Sequence, residues 1–343
     1  MKSAKLYSFT DIRIEDMPVP EVGAGEALMK VKASGICSGD VMPWYIEKKA
    51  PLMLGHEPAG EIVKVGAHVN EFKPGDRVFV HHHAPCMECA FCKRGDYVQC
   101  GEWRRSGIIP GGVAEYVLIP EGNLKHDTLL LPDSMSFEDA ALIEPLACVV
   151  KSYKRSQIRK GDTVLVIGLG VMGMMHILLA AHYGAGQVIG ADMVDFRLEK
   201  ARELGADSVI NVSKESLRER VLSHTGGKGA DIVVAGPNSI SAMDSGIQCT
   251  ARGGTVVLFT PAKPGEKLTL DPNHLYFRDI NLVTSYSCGP DDTKESLDMI
   301  QKHIVTAQKL VTHRFSIEET AEAYNMVAQA GDSIKVLIVM ESD

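Results

Sequence analysis

The stretch that decides the fold is "TVLVIGLGVMGMMHILLAAHYG", residues 163–184. A short apolar run predicts a strand, which leads into Gly168, Gly170 and Gly173 at G-x-G-x-x-G spacing, and a helical pattern follows. The first glycine allows a tight turn, the second lets a pyrophosphate approach the backbone, and the third lets helix and strand pack closely. The helix N-terminus then offers free N–H groups and a positive dipole end to the phosphates. The stretch therefore predicts a dinucleotide-binding loop.

Strands and helices alternate from this stretch onward. Strands are predicted at 163–168, 187–192, 207–212, 231–236 and 255–260, and helices at 170–184 and 194–204. Such alternation predicts a parallel sheet with helices on both faces. The fold class is therefore α/β, with a doubly wound Rossmann domain over residues 151–285.

The second predicted strand ends at Asp192, whose carboxylate is expected to hydrogen-bond the adenosine ribose and to repel a 2′-phosphate. NAD is therefore favoured over NADP. Arg197 lies nearby and would serve either a phosphate or the adenine, and both interpretations stay open. Val171 and Met172 lie inside the phosphate loop, so their backbone is expected to contact the cofactor. The competing interpretations are a glycine-rich turn without a ligand and a solvated strand-end carboxylate at Asp192.

The first ~120 residues predict a different kind of domain. The runs "EALMKVKAS", "AGEIVKVG", "DRVFV" and "VAEYVLI" are typical of strands and are broken by glycine and proline. They predict an irregular, mostly antiparallel β domain. Ser136 and Asp139 then stand at capping-box spacing and predict a helix that continues past Pro145.

The end of the chain, after about residue 285, predicts two helices and a strand. The first helix covers 291–303, the second begins at Ser316 with Glu319 at capping-box spacing, and the strand covers 334–340. A lone strand is unstable, so this tail is expected to pack on the first domain. The predicted division is one domain of residues 1–150 and 286–343 and a second of 151–285.

The composition limits the possible partners. The chain has 343 residues, a formal net charge of −8 and 45% hydrophobic residues, which suits two globular domains. An acidic balance without a basic run argues against nucleic acid and anionic membranes. The N-terminus lacks the apolar segment of a signal peptide, and the longest apolar runs are broken by glycines. We therefore expect a cytoplasmic protein.

Four cysteines are concentrated in "HHHAPCMECAFCKRGDYVQC", residues 81–100. Cys86, Cys89, Cys92 and Cys100 follow the pattern C-x2-C-x2-C-x7-C, which lets four thiolates converge on one zinc ion at about 2.3 Å. Four thiolates leave no open position, so this zinc would be structural. Two disulfides, a redox pair and an iron–sulfur cluster are the alternatives.

The histidines that open this stretch, His81, His82 and His83, resemble metal ligands. Because they follow the predicted strand "DRVFV", they are interpreted as a surface or loop run. Strand alternation would point His82 away from its two neighbours.

A second set of candidate ligands is spread over three segments. "GICSGD" contains Cys37 and Asp40, "GHEPAGEIVKVG" contains His56 and Glu57, and "LIEPLACV" contains Glu144. A cysteine, a histidine and carboxylates can hold zinc and keep a place for water or an alcohol. Asp40 is placed to accept from the second ring nitrogen of His56. A structural histidine, and a buried ion pair at Glu144, remain the alternatives.

Together, these segments and the "GLGVMG" loop make the chain resemble the zinc-containing medium-chain alcohol dehydrogenase family, in its polyol/sorbitol and L-threonine dehydrogenase-like branch. The resemblance covers essentially the whole chain. It implies a GroES-like catalytic domain beside the Rossmann domain, and alcohol oxidation with NAD(P) by a homo-oligomer, a dimer or a tetramer.

The resemblance also implies roles for particular residues. It makes Cys37 and His56 ligands of a catalytic zinc, Glu57 a third ligand, and Glu144 a ligand of the metal or a neighbour of its water. It makes the four clustered cysteines the ligands of the structural zinc, and it puts Tyr286 near the nicotinamide.

The chain departs from the family's pattern beside Cys37. Gly39 stands where the family usually has a serine or threonine whose hydroxyl passes the substrate proton. Ser38, one position earlier, would take over this relay if the register of the loop were shifted. Met42 and Pro43 replace a histidine and a tyrosine that are common in sorbitol dehydrogenases.

The function predicted from the sequence is zinc-dependent transfer of a hydride from a secondary alcohol, such as a polyol, sugar or diol, to NAD. Zinc would act as a Lewis acid on the alcohol. L-threonine 3-dehydrogenase and simple secondary-alcohol dehydrogenase are alternatives of the same class. An NAD-binding sensor and a zinc-ribbon binding module are alternatives of another class. A nucleic-acid-binding ribbon would carry a basic stripe, but Lys93 and Arg94 stand among acidic residues.

Overall fold

The computed structural model describes residues 1–340 and divides the chain into two compact units. The first unit comprises Met1–Ala147 and the chain from Cys288 onward, and the second comprises Cys148–Ser287. The domain limits at 150/151 and 285/286 stay a prediction. The last three residues of the predicted first domain, 341–343, lie outside the described residues.

The regular elements of the described chain are as follows. The strands are β1 (Lys2–Ser8), β2 (Asp11–Asp16), β3 (Ala27–Gly35), β4 (Leu52–Met53), β5 (Glu57–Val65), β6 (Arg77–Val80), β7 (Tyr116–Ile119), β8 (Thr128–Leu130), β9 (Thr163–Ile167), β10 (Gln187–Asp192), β11 (Ser208–Asn211), β12 (Ala230–Ala235), β13 (Thr250–Leu258), β14 (Asn281–Thr284), β15 (Val311–Phe315) and β16 (Lys335–Val339). The α-helices are α1 (Pro43–Ile46), α2 (Gly101–Arg105), α3 (Glu121–Asp127), α4 (Phe137–Ala140), α5 (Ile143–Ser156), α6 (Val171–His182), α7 (Asp195–Glu203), α8 (Leu217–His224), α9 (Ile240–Cys249), α10 (Pro272–Arg278), α11 (Pro290–Gln301), α12 (Ala307–Leu310) and α13 (Thr320–Gln329).

The first unit is built on two sheets. The larger has the order β15-β16-β3-β5-β6-β8, with β7 also paired to β3, and the smaller has the order β2-β1-β4. All pairs are antiparallel except β15 with β16. The prediction of a mostly antiparallel β domain is therefore confirmed. Strand β16 pairs with β3, which confirms that the C-terminal tail packs on this unit.

The helix predicted from Ser136 onward is broken in two. The Ser136 side chain accepts from the Asp139 N–H and begins α4, which ends at Ala140 before α5 begins at Ile143. Pro145 then lies in the first turn of α5, where a backbone N–H has no partner within the helix and proline is tolerated. The predicted uninterrupted helix is therefore wrong, because the proline fixes where the second helix begins.

The second unit contains one six-stranded sheet of order β11-β10-β9-β12-β13-β14, and every pair is parallel. In chain order this is 3-2-1-4-5-6, the Rossmann arrangement. The central strand β9 buries Val164, Leu165 and Val166 completely, as expected for a strand with helices on both faces. The α/β fold class and the doubly wound sheet are confirmed, and β14 is an edge strand that the sequence pattern missed.

Candidate active site

Three candidate ligands meet at one end of the larger sheet in the first unit. Strands β3 and β5 are antiparallel neighbours in which Gly35 pairs with Glu57. Cys37 follows the end of β3 and His56 precedes the start of β5, so this register brings both to the same sheet end. The ligand atoms of Cys37, His56 and Glu57 all lie within 4.8 Å of one another.

The groups around His56 favour a positive charge at this position, carried either by a protonated imidazole or by a metal ion. Asp40 Oδ2 lies 3.2 Å from His56 Nδ1, which leaves Nε2 as the nitrogen for a metal. Burial alone would lower the pKa of His56, but Asp40 and Cys37 raise it well above its usual value. Cys37 Sγ also accepts from the Gly39 N–H at 3.3 Å. A thiolate, an imidazole and a carboxylate suit zinc and leave a fourth position open, so the residues present fit a catalytic zinc ion.

Glu57 has a buried partner that sequence reasoning did not find. Lys335, at the start of β16, donates to Glu57 Oε2 and, at 3.0 Å, to the Ile36 carbonyl oxygen. Both charged side chains are 1% exposed. Burial raises the pKa of Glu57, and Lys335 opposes the rise. A Cβ at Gly35 would lie 1.9 Å from Glu57 Oε2, so the pair requires glycine there.

Glu144 is grouped with different neighbours. It lies in the first turn of α5, and one of its carboxylate oxygens lies within 4.8 Å of ring nitrogens of His81 and His82. The structure therefore does not include it in the group formed by Cys37, His56 and Glu57. Its charge nevertheless acts on Glu57, whose pKa it helps to raise.

The four clustered cysteines form a closed site. Sulfur–sulfur distances are 3.9 Å for Cys86–Cys92, 3.5 Å for Cys89–Cys92 and 3.6 Å for Cys86–Cys100. Tetrahedral ligands at a Zn–S distance of about 2.3 Å would be about 3.8 Å apart. The spacing of the thiols therefore fits a structural zinc ion.

The backbone of this lobe also favours thiolates. The Cys86 N–H points to Cys100 Sγ at 3.4 Å, and the Cys89 N–H points to Cys86 Sγ at 3.4 Å. Burial opposes ionisation of Cys100, but backbone N–H groups bring the pKa of its thiol down to about 6. Val98 and Trp103 pack against the cluster and form its small apolar core.

The glycine loop of the second unit has the geometry that phosphate binding needs. Gly168 has φ +85°, and a Cβ at Gly173 would lie 2.0 Å from the Gly168 carbonyl oxygen. A Cβ at Gly170 would meet nothing within 4 Å, so this side of the loop is open. Val171 and Met172 form the first turn of α6, whose N–H groups have no partners within the helix. The loop therefore fits a dinucleotide pyrophosphate.

Asp192 is held by the backbone at the end of β10. Its Oδ2 accepts from the Leu169 N–H at 2.7 Å, and its Oδ1 accepts from the N–H groups of Met193 at 2.7 Å and Val194 at 3.0 Å. A carboxylate has about four acceptor positions, so three are used and about one remains for a ribose hydroxyl. Asp192 thus ties the phosphate loop to the segment after β10.

The remaining candidates of the second unit lie in different surroundings. Arg197 lies in α7, two residues after its first residue Asp195. Tyr286 is 55% exposed, and its carbonyl oxygen accepts from Lys151 Nζ at 2.8 Å.

Known proteins resemble the chain over its full length. Residues 23–133 match the alcohol dehydrogenase GroES-like domain, and residues 171–302 match the zinc-binding dehydrogenase domain. Sorbitol dehydrogenase of Bacillus subtilis (strain 168) is 31% identical over 98% of this chain and 97% of its own length. The chain belongs to the zinc-containing medium-chain alcohol dehydrogenase family. It is therefore a zinc-dependent alcohol dehydrogenase, as predicted.

Solved structures of this dehydrogenase family have the same fold. A zinc-binding dehydrogenase from Sinorhizobium meliloti 1021, bound to NADP, is 27% identical with a TM-score of 0.88, covering 98% of each chain. A butanediol dehydrogenase from Bacillus subtilis is 25% identical with a TM-score of 0.87, covering 98% of this chain and 99% of its own. The GroES-like and Rossmann folds and the zinc and nicotinamide cofactors predicted for this dehydrogenase are thereby confirmed.

The three histidines of the dehydrogenase lie in a loop after β6, as one of the two interpretations had it, but they are not a surface run. His81 is fully buried, and its Nδ1 lies 2.7 Å from Asp127 Oδ2. His83 Nδ1 lies 2.8 Å from the Ser106 carbonyl oxygen. The ring of His82 lies 4.8 Å from that of His56, centroid to centroid. Strand β6 ends at Val80, so strand alternation does not apply to these residues.

The loop after Cys37 does not place a hydroxyl among the candidate ligands. Ser38 is exposed at the start of a 3₁₀ turn over Ser38–Val41. Gly39 lies beside the thiol, because a Cβ there would be 3.4 Å from Cys37 Sγ. The role of Ser38 in a proton relay stays a prediction.

A buried histidine of the Rossmann unit makes the stability of this dehydrogenase depend on pH. His176 Nδ1 lies 2.7 Å from the Met172 carbonyl oxygen, and its Nε2 lies 2.8 Å from Ser152 Oγ. Burial lowers the pKa of His176 from 6.5 to about 4. Between these two pH values, His176 is protonated in the unfolded chain and neutral in the folded chain. His176 therefore stabilises the fold fully above pH 6.5, and this contribution is lost as the pH falls towards 4.

We expect His176→Gln to remove this pH dependence. Between about pH 7.5 and about pH 5, the shift is equivalent to about 2 kcal/mol of unfolding free energy. Urea unfolding at the two pH values should therefore show a smaller acid-induced loss for the variant by that amount. His182→Gln, at the exposed end of the same helix, is the matched control and should behave as the wild type. An equal acid-induced loss in His176→Gln and the wild type would contradict the prediction.

Proposed function

We propose that this dehydrogenase oxidises a secondary alcohol group of a polyol, sugar or diol and transfers the hydride to NAD. The observation that carries the proposal is the convergence of Cys37, His56 and Glu57 within 4.8 Å at one end of the β3–β5 pair. Sorbitol and butanediol dehydrogenases among the relatives support this substrate class.

The residues of the site would have the following roles in metal binding and catalysis. Cys37 and His56 would hold a zinc ion, and Glu57 would share its charge between that ion and Lys335. A zinc ion supplies Lewis-acid activation of the alcohol oxygen when it is bound. Asp40 would orient the His56 ring, and Glu144 would hold a proton or a water at the edge of the site.

A substrate panel tests the proposal. Initial rates of NADH formation would be compared for sorbitol, 2,3-butanediol, 2-butanol, L-threonine and a primary alcohol. We expect turnover with a polyol or diol that exceeds turnover with L-threonine and with the primary alcohol. Highest activity with L-threonine would favour L-threonine 3-dehydrogenase, and an absence of turnover with the whole panel would contradict the proposal.

We also propose that Asp192 makes NAD the preferred cofactor. Its carboxylate is fixed by three backbone N–H groups and would face the ribose, where it would repel a 2′-phosphate. We expect Asp192→Asn to raise the ratio of kcat/KM for NADP to that for NAD by about tenfold or more. Asp207→Asn is the matched control, because Asp207 Oδ2 also accepts a backbone N–H, that of Val188, at 2.7 Å. A ratio that changes equally in both variants would contradict the role of Asp192.

We propose that the chain forms a homo-oligomer, a dimer or a tetramer. Two large apolar side chains support this proposal, since Tyr276 is 76% exposed and Phe277 is 68% exposed beside the edge strand β14. Light scattering should give a mass that is a multiple of 37.2 kDa. A mass of 37.2 kDa at micromolar concentration would contradict the proposal.

We propose a cytoplasmic location. All eight cysteines, which lie within the described residues, are free thiols, and this supports a reducing compartment. Across residues 1–340, every helix is too short or too polar to span a membrane. Fractionation of cells that produce the tagged chain would test the location, and recovery outside the cytoplasmic fraction would contradict it.

A further inference from the structure

One ring nitrogen beside the candidate zinc site lacks a hydrogen-bond partner. His82 Nδ1 is buried, and no described residue donates to it or accepts from it. The neighbouring histidines are satisfied, since His81 Nδ1 pairs with Asp127 and His83 Nδ1 pairs with the Ser106 carbonyl oxygen. A buried polar group without a partner costs about 1–3 kcal/mol. A bound molecule that forms a hydrogen bond with His82 would therefore offset this cost.

The position of His82 limits what that molecule can be. Its ring is 4.8 Å from the ring of His56 and tilted by 48° to it, so it adjoins a proposed zinc ligand. A ring nitrogen of His82 and an oxygen of Glu144 lie within 4.8 Å of each other. An imidazole beside a carboxylate offers hydrogen-bonding groups of both kinds, which suits a hydroxyl that donates and accepts. The side chain of His82 is only partly buried as a whole, so a small molecule can reach the exposed part of its ring, although Nδ1 itself is buried.

The loop after Cys37 offers fewer groups that could form a hydrogen bond with a substrate. Gly39 has no side chain, and a Cβ there would meet only Cys37 Sγ at 3.4 Å and Met42 Cε at 3.9 Å. Met42 contributes a thioether, which is a weak acceptor and cannot donate to a hydroxyl. His82 and Glu144 therefore offer a further substrate hydroxyl more hydrogen-bonding groups than Gly39 and Met42 do.

We propose that His82 binds the hydroxyl on the carbon next to the one that is oxidised, and so selects vicinal diols and polyols over simple alcohols. Oxygen atoms on neighbouring carbons are about 3 Å apart, which is close to a hydrogen-bond length. With one oxygen beside Cys37, His56 and Glu57, the other would come within reach of His82, whose ring lies 4.8 Å from that of His56. The inference rests on the proposed function and narrows its substrate class.

The test compares 2,3-butanediol with 2-butanol, which differ by that one hydroxyl. The wild type, His82→Phe and His82→Gln would be assayed for kcat/KM with each alcohol at saturating NAD. We expect the wild type to prefer the diol, and His82→Phe to lower the ratio of the two values by about tenfold to hundredfold. The value for 2-butanol should fall by less than the value for the diol, because 2-butanol has no second hydroxyl that could lose a contact with His82. His82→Gln, which keeps an amide donor and acceptor, should recover part of the ratio.

His83→Gln is the matched control from the same segment, and zinc content is measured for every variant. A proportional fall with both alcohols would overturn the inference, because it would mean that His82 only supports His56. An unchanged ratio, or a wild type with no preference for the diol, would overturn it as well. Failure of the proposed function is recognised separately, because the wild type would then oxidise neither alcohol, and the inference would fall with it.

Discussion

Replacement of Cys37 with alanine should lower alcohol oxidation by more than about 10⁴-fold, which corresponds to about 5 kcal/mol of lost transition-state stabilisation. The variant removes the thiolate from a site whose other close ligands, among residues 1–340, are His56 and Glu57. Glu57 is already paired with Lys335, so it cannot supply a full second negative charge. Zinc content should fall from two per chain to one, and NADH binding, followed by its fluorescence, should stay within about threefold because the glycine loop is untouched.

Cys249→Ala is the matched control for this experiment. Cys249 is a buried thiol at the end of α9, and burial raises its pKa to about 11, so it is not a thiolate at neutral pH. It is also not a member of the group formed by Cys37, His56 and Glu57. Its replacement should leave turnover and both zinc ions in place. Substantial activity of Cys37→Ala, or retention of two zinc ions, would contradict the assignment of the catalytic site. Loss of activity in both variants would point to a general effect of removing buried thiols.

Features that depend on short sequence spacing could be predicted well. The glycine loop and the cysteine lobe each lie within about 22 consecutive residues, so chain connectivity alone brings their groups together. Gly173 and Gly168 meet because a strand and a helix are joined by one tight turn. The thiols meet because each is only a few bonds from the next. In such segments, the sequence spacing alone determines which groups come close together in space.

Features that depend on strand register could be predicted only through the family resemblance. Cys37 and His56 meet because β3 and β5 pair with Gly35 opposite Glu57, and no local pattern specifies that register. Lys335 was missed because it follows Glu57 by 278 residues and opens a strand that is otherwise apolar. The signal that could have found it is a lysine at the start of an otherwise buried strand, since such a lysine needs a buried acid.

The histidines after β6 show a third limit of prediction from the sequence, which is the use of strand alternation near a strand's end. Period-two alternation assigns sides to residues within a strand, but β6 is only four residues long and ends at Val80. His81 instead turns inward to a buried carboxylate, Asp127, which comes from the end of α3. A histidine that follows a short buried strand should therefore be treated as a candidate for the interior until the strand's end is known.

Replacement of Cys100 with serine should unfold the lobe of residues 86–105 and lower the stability of the whole first unit. Trp103 is 2% exposed and packs on the cysteine cluster, so loss of the zinc ion that would hold the four thiols together should expose it to water. Structural zinc ions contribute about 10–16 kcal/mol of folding free energy in isolated zinc-binding peptides. We therefore expect a loss above about 4 kcal/mol, measured by urea unfolding, and one zinc ion lost. In a Trp44→Phe background, where Trp103 is the remaining tryptophan, its fluorescence should shift to the red. The change differs from that of Cys37→Ala, which should lose the other zinc ion and turnover but keep the Trp103 signal.

Cys249→Ser is the matched control for a buried thiol outside the lobe. If Cys100→Ser kept both zinc ions and the wild-type Trp103 emission, the cysteines would be ordinary buried thiols, and the closed four-thiolate site would have to be abandoned.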